Sequence, residues 1–164
     1  MNNWALVLLG GTLFGAGYGV IAAVYNPRVL SAGKVTRSGN ADLQRDKEIA
    51  FQDSFTGRRE PDAVTWVSND VFALANEGDG KKDKDGTLPG GRGFTLMNTR
   101  GEVVYETGER TEQHAVQFGH YPDHRSAAKG VEIEGVTSAR FGGRPHLLVG
   151  SERGSFLEIY EVSD

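Results

Sequence analysis

The sequence predicts an all-β fold: a partial β-propeller of roughly two four-stranded antiparallel blades, the second incomplete, behind an N-terminal apolar segment. Three observations carry the prediction. Glycine supplies 23 of 164 residues and proline only 5; glycine at about twice its average usage, with no triplet period, excludes collagen and favours a turn-rich β protein. From position 60 onward, short apolar runs alternate with turn residues, the punctuation of strands rather than helices. The second half of the chain also repeats itself at a spacing of supersecondary size.

The bulk properties narrow the function classes. Eighteen basic residues against 22 acidic ones leave a net charge of −4 with no basic block, so the cationic footprint of a nucleic-acid binder is missing. The chain has no cysteine, which removes disulfides, thiolate zinc sites and thiol catalysis. With 38% hydrophobic and 24% charged residues, a chain near the one-domain norm can bury a single modest core.

Residues 1–27 form an apolar unit of signal or anchor type. No charge precedes Arg28, and Thr12 is the clearly polar member of the stretch 4–25, which is long enough to cross a bilayer. Gly11, Gly15 and Gly19 repeat the small-residue spacing of closely packed membrane helices. Ala22 and Ala23 permit cleavage, although Met1-Asn2-Asn3 supplies no basic leader. Arg28, Lys34 and Arg37 favour a cytoplasmic C-terminal flank. Export, membrane anchoring and a buried glycine-rich piece of a soluble fold therefore stay open. Residues 28–46 read as a linker, and 47–164 as the partial propeller domain.

Within that domain Ile49, Phe51 and Phe55 alternate with Gln52 and Ser54, as in an outer strand of a preceding blade. Runs 63–68 and 71–76 are nearly continuous apolar stretches joined at Asn69-Asp70, a pair that tolerates tight backbone geometry; both faces of these strands are expected to be buried. A strand over 93–98 follows, then a turn at Thr99-Arg100-Gly101, then an outer strand over 102–106 in which Val103 and Tyr105 alternate with more polar neighbours. Strands over 136–141, 146–150 and 155–162 come last. The repeat ties the two groups together: residues 60–65 match 132–137 at an offset of 72, and 75–78 match 150–153 at an offset of 75. Propellers close with roughly four to eight blades, so this length of chain reads as part of a larger ring. Its partners are then the remaining blades or another chain.

In an antiparallel hairpin the start of the first strand lies beside the end of the second. Glu60 and Asp62 are thus expected near Glu77 and Asp79, and Glu132 and Glu134 near Glu152. Such carboxylates repel one another unless a cation intervenes. Salt bridging and turn capping by the neighbouring Arg58, Arg59, Lys129 and Arg153 is one reading, and a rim that holds calcium or another ligand is the second, since calcium takes six to eight oxygen ligands in flexible geometry. A catalytic pair of carboxylates is the third and has the least support. The segment 78–92 replaces a tight Arg153-Gly154 turn of the second copy; its Asp79, Asp83 and Asp85 miss the spacing of a helix-loop-helix calcium site, and its alternating lysines and aspartates suit a solvated loop. His114, His120 and His124 are of zinc-ligand type, but Gly119, Tyr121 and Pro122 place the last two on a loop rather than one helix face. No nucleophile elbow is present, and no catalytic residue is assigned.

Six runs occur in one order: Arg59-Glu60-Pro61-Asp62-Ala63, Ala75-Asn76-Glu77-Gly78-Asp79, Gly91-Arg92-Gly93-Phe94-Thr95, Gly119-His120-Tyr121-Pro122, Lys129-Gly130 with Glu132 to Gly135, and Val149-Gly150-Ser151-Glu152-Arg153-Gly154. Over residues 47–164 the chain resembles the choice-of-anchor I family, bacterial propeller-type surface proteins of the mesenchyme-specific cell surface glycoprotein-like kind. Two departures stand out: Ile133 replaces the family's proline in its Glu-Pro-Glu-Gly motif, and the lysine-aspartate insertion lengthens the loop after Asp79. The resemblance implies an extracytoplasmic, cell-surface module that binds a surface ligand or glycan or plays a structural part, without a catalytic set of its own. Some members are described as phytase-like or alkaline-phosphatase-like, which supplies the alternative of a calcium-dependent phosphoesterase piece.

Overall fold

The computed structural model describes residues 34–35, 40–51, 53–54, 57–78, 84, 88–89 and 91–163. The apolar stretch 4–25, Gln52, Phe55, Asp79 and most of the 78–92 loop lie outside the described residues. In chain order the elements are β1 (Lys34–Val35), β2 (Asn40–Ala41), β3 (Asp53–Ser54), β4 (Gly57–Arg58), β5 (Pro61–Trp66), β6 (Val71–Asn76), β7 (Leu88–Pro89), β8 (Phe94–Asn98), β9 (Val103–Glu106), helix α1 (Arg110–Gln117), a short 3-10 turn at Asp123–Arg125, β10 (Ile133–Phe141), β11 (Arg144–Ser151) and β12 (Phe156–Glu161).

The fold is all-β, built on two antiparallel sheets. The first is a four-stranded meander, β5-β6-β8-β9, and the second a three-stranded meander, β10-β11-β12. The short strands add β1-β4-β7 and the pair β2-β3. Hairpin β5-β6 turns at residues 67–70, where the Ser68 hydroxyl accepts from the Asp70 and Val71 amides, the local side-chain bonding for which such residues are favoured in turns.

The backbone register makes the repeat structural. Pro61 pairs with Asn76 and Ala63 with Ala75, with a bulge between; Ile133 pairs with Ser151 and Gly135 with Gly150, again with a bulge between. Each first strand is entered through a glutamate in the left-handed region, Glu60 at φ 40° and Glu132 at φ 52°, conformations uncommon for a residue with a side chain. The same bulge and the same backbone reversal thus occur at offset 72, where the sequence match lies.

The two sheets pack face to face. Strand β10 lies against β5 and β6, Ser138 Oγ donates to the Trp66 carbonyl, and the Phe94 and Tyr160 rings meet edge-on at 4.9 Å. Ala73, Ala75, Phe94 and Leu96 from the first sheet and Ile133, Leu147 and Val149 from the second share one core with Ala115 of α1. This is where burial of apolar area stabilises the molecule, at about 25 cal/mol per Å² removed from water.

Three expectations need correcting. Strand β5 is not buried on both faces: Val64 is 65% and Trp66 60% exposed, because the second sheet covers only the face carrying Ala63. A continuous apolar run cannot distinguish a covered face from an uncovered one. Residues 49–51 are not part of an outer strand; among the described residues Asp53 and Ser54 pair with Ala41 and Asn40, and Phe51 stacks edge-on against Tyr121 at 5.5 Å. Helix α1 was not foreseen, since its buried side is made of Thr111, Glu112 and Ala115, leaving no apolar stripe to betray it.

A buried polar knot ties the irregular segments together. The Arg92 guanidinium donates to the carbonyls of Asp42 (3.0 Å), Ser126 (2.7 Å) and Ala128 (3.3 Å) and pairs with Glu112 at 3.5 Å. Arg92 and Glu112 are both nearly inaccessible, and burial pushes the Glu112 carboxyl up to about 7, more than nearby Arg92 pulls it down. Ala41 and Asp42 are buried in the same region. Gly130, at φ 64°, passes directly over this pair: a Cβ there overlaps Glu112 Oε1 and lies 3.0 Å from Arg92 Nη1.

Candidate functional site

Carboxylates singled out in the sequence come together at one rim, within the second hairpin, where Glu134 meets Glu152 as expected, and also across the two sheets, where Glu77 joins Glu132 and Glu134. Glu77 follows β6, Glu132 precedes β10 and Glu134 lies on it, and one oxygen from each falls within 4.8 Å of the others. The cause is the packing of β10 on β5 and β6, which brings the end of one hairpin beside the start of the next. Glu152 and Asp62 also act on Glu134. Glu60, exposed at the entry to β5, is not a member of the three-residue cluster, and Asp79 lies outside the described residues.

Electrostatics divides the rim in two. Glu132 is buried and held by Arg125, whose Nε donates at 2.8 Å, and by Arg153 at 3.5 Å. Glu77 is engaged by the Lys129 ammonium, and Arg153 reaches Glu152 at 3.2 Å. Arg59 turns away to Glu106 at 2.8 Å. Glu134 is different: a hydrogen bond with Glu152 is the largest of the effects that hold its carboxyl above the ordinary range, followed by desolvation and the charges of Glu152, Glu77 and Asp62. The rim is therefore a seam between sheets in which cations neutralise the inner carboxylates, while the hydrogen bond with Glu152 and the surrounding negative charge favour the protonated form of Glu134.

A second feature was missed in the sequence. Helix α1 and β12 flank a groove of about 410 Å³ lined in part by His114, Phe118, His120, Phe156 and Tyr160. His114 Nδ1 lies 2.7 Å from Glu158 Oε1, and the Tyr160 hydroxyl donates to Glu158 Oε2. Burial and Glu158 together raise the Tyr160 phenol above its ordinary value. His120 Nδ1 sits 2.9 Å from the Gly154 carbonyl, and His124 lies exposed in the 3-10 turn, so His114 and His120 serve separate contacts and the three do not converge. Arg125, the nearest cation to Glu132, carried no sequence signal, because the loop that folds it back is irregular. Among the described residues no helix is long and apolar enough to cross a membrane.

The family model of the choice-of-anchor I domain matches residues 82–164, just over half of the chain. The match takes in β8, β9, α1 and the whole second sheet, with Arg92, Glu112, Glu132, Glu134 and Glu152. No curated protein and no solved structure matches the chain.

Proposed function

This chain belongs to the choice-of-anchor I family, and from that premise we propose that it works as a non-catalytic, cell-surface module of β-propeller type that binds a partner or bears structure through its carboxylate rim. The observation that carries the reading is the repeated meander, two antiparallel sheets packed face to face, each first strand entered through an equivalent glutamate in the left-handed region and followed by the same bulge. Successive propeller blades have this connectivity and repeat size. The phosphoesterase alternative gains nothing from the geometry, because Arg125, Lys129 and Arg153 already engage the carboxylates that would hold phosphate-bound cations.

Two measurements test the proposal. In intact producing cells, a tag placed after Asp164 is digested by added protease; full protection until the cells are opened refutes the surface location. At the rim, calcium competes with Lys129 for Glu77. A melting temperature that rises in calcium relative to chelator, and stops responding in Glu77→Gln, assigns a cation to the rim. An unchanged melting temperature removes calcium and leaves the protein's own cations as its counterions.

A further inference from the structure

The first sheet has a strand that the second lacks. Strands β5, β6 and β8 match β10, β11 and β12, and β9 lies outside β8, whereas no strand among the described residues lies outside β12. Register makes the match residue by residue at the repeat's offset of 75. Ala75 pairs with Phe94 as Gly150 does with Leu157, Ala73 with Leu96 as Leu148 with Ile159, and Val71 with Asn98 as His146 with Glu161. The backbone of Phe94, Leu96 and Asn98 is what holds β9: the Phe94 carbonyl accepts from the Thr107 amide at 3.1 Å, the Asn98 amide donates to the Glu102 carbonyl at 3.0 Å, and Leu96 pairs with Tyr105.

The equivalent groups of β12 face outward. The Val162 amide donates to the Pro145 carbonyl at 2.9 Å, so strand alternation turns the main-chain groups of Glu158 and Tyr160 toward β11 and those of Leu157, Ile159 and Glu161 away from it. A groove follows that edge. The cavity of about 410 Å³ between α1 and β12 is lined by all five residues from Phe156 to Tyr160. Successive side chains of a strand point to opposite faces, so a cavity touched by five in succession runs along the edge rather than over one face. Leu157 and Ile159 are 57% and 60% exposed, and Phe118 on the facing wall is 71% exposed.

We propose that this groove takes an extended segment of a separate polypeptide, added antiparallel to β12 as the fourth strand of the second sheet, with apolar side chains beside Leu157 and Ile159 and a basic one beside Glu158. An unpaired strand edge is a template for such addition. Charge selects the occupant. In the first sheet Thr95 pairs with Glu106, and its hydroxyl donates to that carboxylate at 3.1 Å. The equivalent of Thr95 is Glu158, which lines the groove with His114 Nδ1 at 2.7 Å and the Tyr160 hydroxyl on its oxygens. A carboxylate offers about four acceptor positions, so a further donor is accommodated, whereas a glutamate directly opposite repels. Strand β12 of a second copy brings Glu158 and Glu161 and no base, and the stretch 4–25 of this chain carries no charge; neither meets the requirement. The site does not use the carboxylate rim, and it needs neither calcium nor the surface location.

Two labelled peptides with the sequence of residues 101–108, one native and one carrying Glu106→Lys, are titrated into the full chain. The lysine peptide binds, the native peptide binds about fivefold more weakly or less, and Glu158→Gln in the protein removes the preference. Ile159→Pro deletes an outward amide and no bond to β11; it abolishes binding with an unchanged circular dichroism spectrum. Amide exchange followed by NMR needs no variant. In the free chain the Leu157, Ile159 and Glu161 amides exchange fast and those of Glu158 and Tyr160 slowly, and the lysine peptide slows the first three by about tenfold or more. Outward amides already protected in the free chain, no binding of either peptide, equal affinity for both, or binding that survives Ile159→Pro overturns the proposal. So does a dimer of the chain that Ile159→Pro splits, because a second copy then holds the edge.

Discussion

Gly130 offers the sharpest test of the buried knot. It sits at φ 64°, and its Cβ position overlaps Glu112 Oε1. Replacing it with alanine imposes two costs. The left-handed backbone costs a residue with a Cβ about 1–2 kcal/mol. The added methyl also drives Glu112 off Arg92, and disrupting a buried ion pair costs about 3–5 kcal/mol. Gly142 isolates the first cost, because at φ 58° it has nothing within 4 Å of its Cβ position. Gly142→Ala should therefore lose about 1–2 kcal/mol and Gly130→Ala about 4–7 kcal/mol, against a typical domain stability of about 5–15 kcal/mol. Urea unfolding followed by circular dichroism measures both. If the two variants agree to within about 1 kcal/mol, the steric argument about Glu112 is wrong, whatever their common value.

Two further predictions concern ionisation. The Glu112 carboxyl titrates near 7 in the folded protein against 4.5 when free, so the native state holds its proton more tightly than the unfolded state. The stability linked to that proton is fully present below pH 4.5 and is lost as pH rises through 7, at most about 3 kcal/mol in all. Urea midpoints should thus fall between pH 5 and pH 8, and Glu112→Gln, although less stable throughout, should flatten that slope; an equally steep slope in the variant refutes the assignment. At the rim, Glu152→Gln removes the carboxyl whose hydrogen bond, and to a lesser degree whose charge, raises Glu134, so the Glu134 titration followed by carboxylate NMR should move down toward the ordinary range. No movement would mean that Glu152 does not hold the Glu134 carboxyl up.

Much of the sheet architecture was legible because it depends on local pattern. Apolar runs of five or six residues between Asn-Asp and Gly-bearing turns define β5, β6, β8 and β9 with ends displaced by only a residue or two. The offsets of 72 and 75 recover the pairing of Pro61 with Asn76 and Ile133 with Ser151. Helix α1 stayed hidden because its buried face carries a threonine, a glutamate and an alanine, and the burial of Glu112 depends on Arg92, twenty residues away in sequence. The rim was half legible. Hairpin geometry brings carboxylates to strand ends, but the contact joining Glu77 to Glu132 and Glu134 crosses between sheets.

By itself the sequence determined the strands of the two meanders, their order, the repeat and the resemblance to a family, since all of these follow from residue type, spacing and turn chemistry along the chain. The tertiary structure alone decided which faces are covered, which cation neutralises which carboxylate, and that Val64, Trp66, Leu157 and Ile159 stay open to solvent. Burial and charge compensation are set by distances between residues far apart in the chain, and no local pattern encodes those distances.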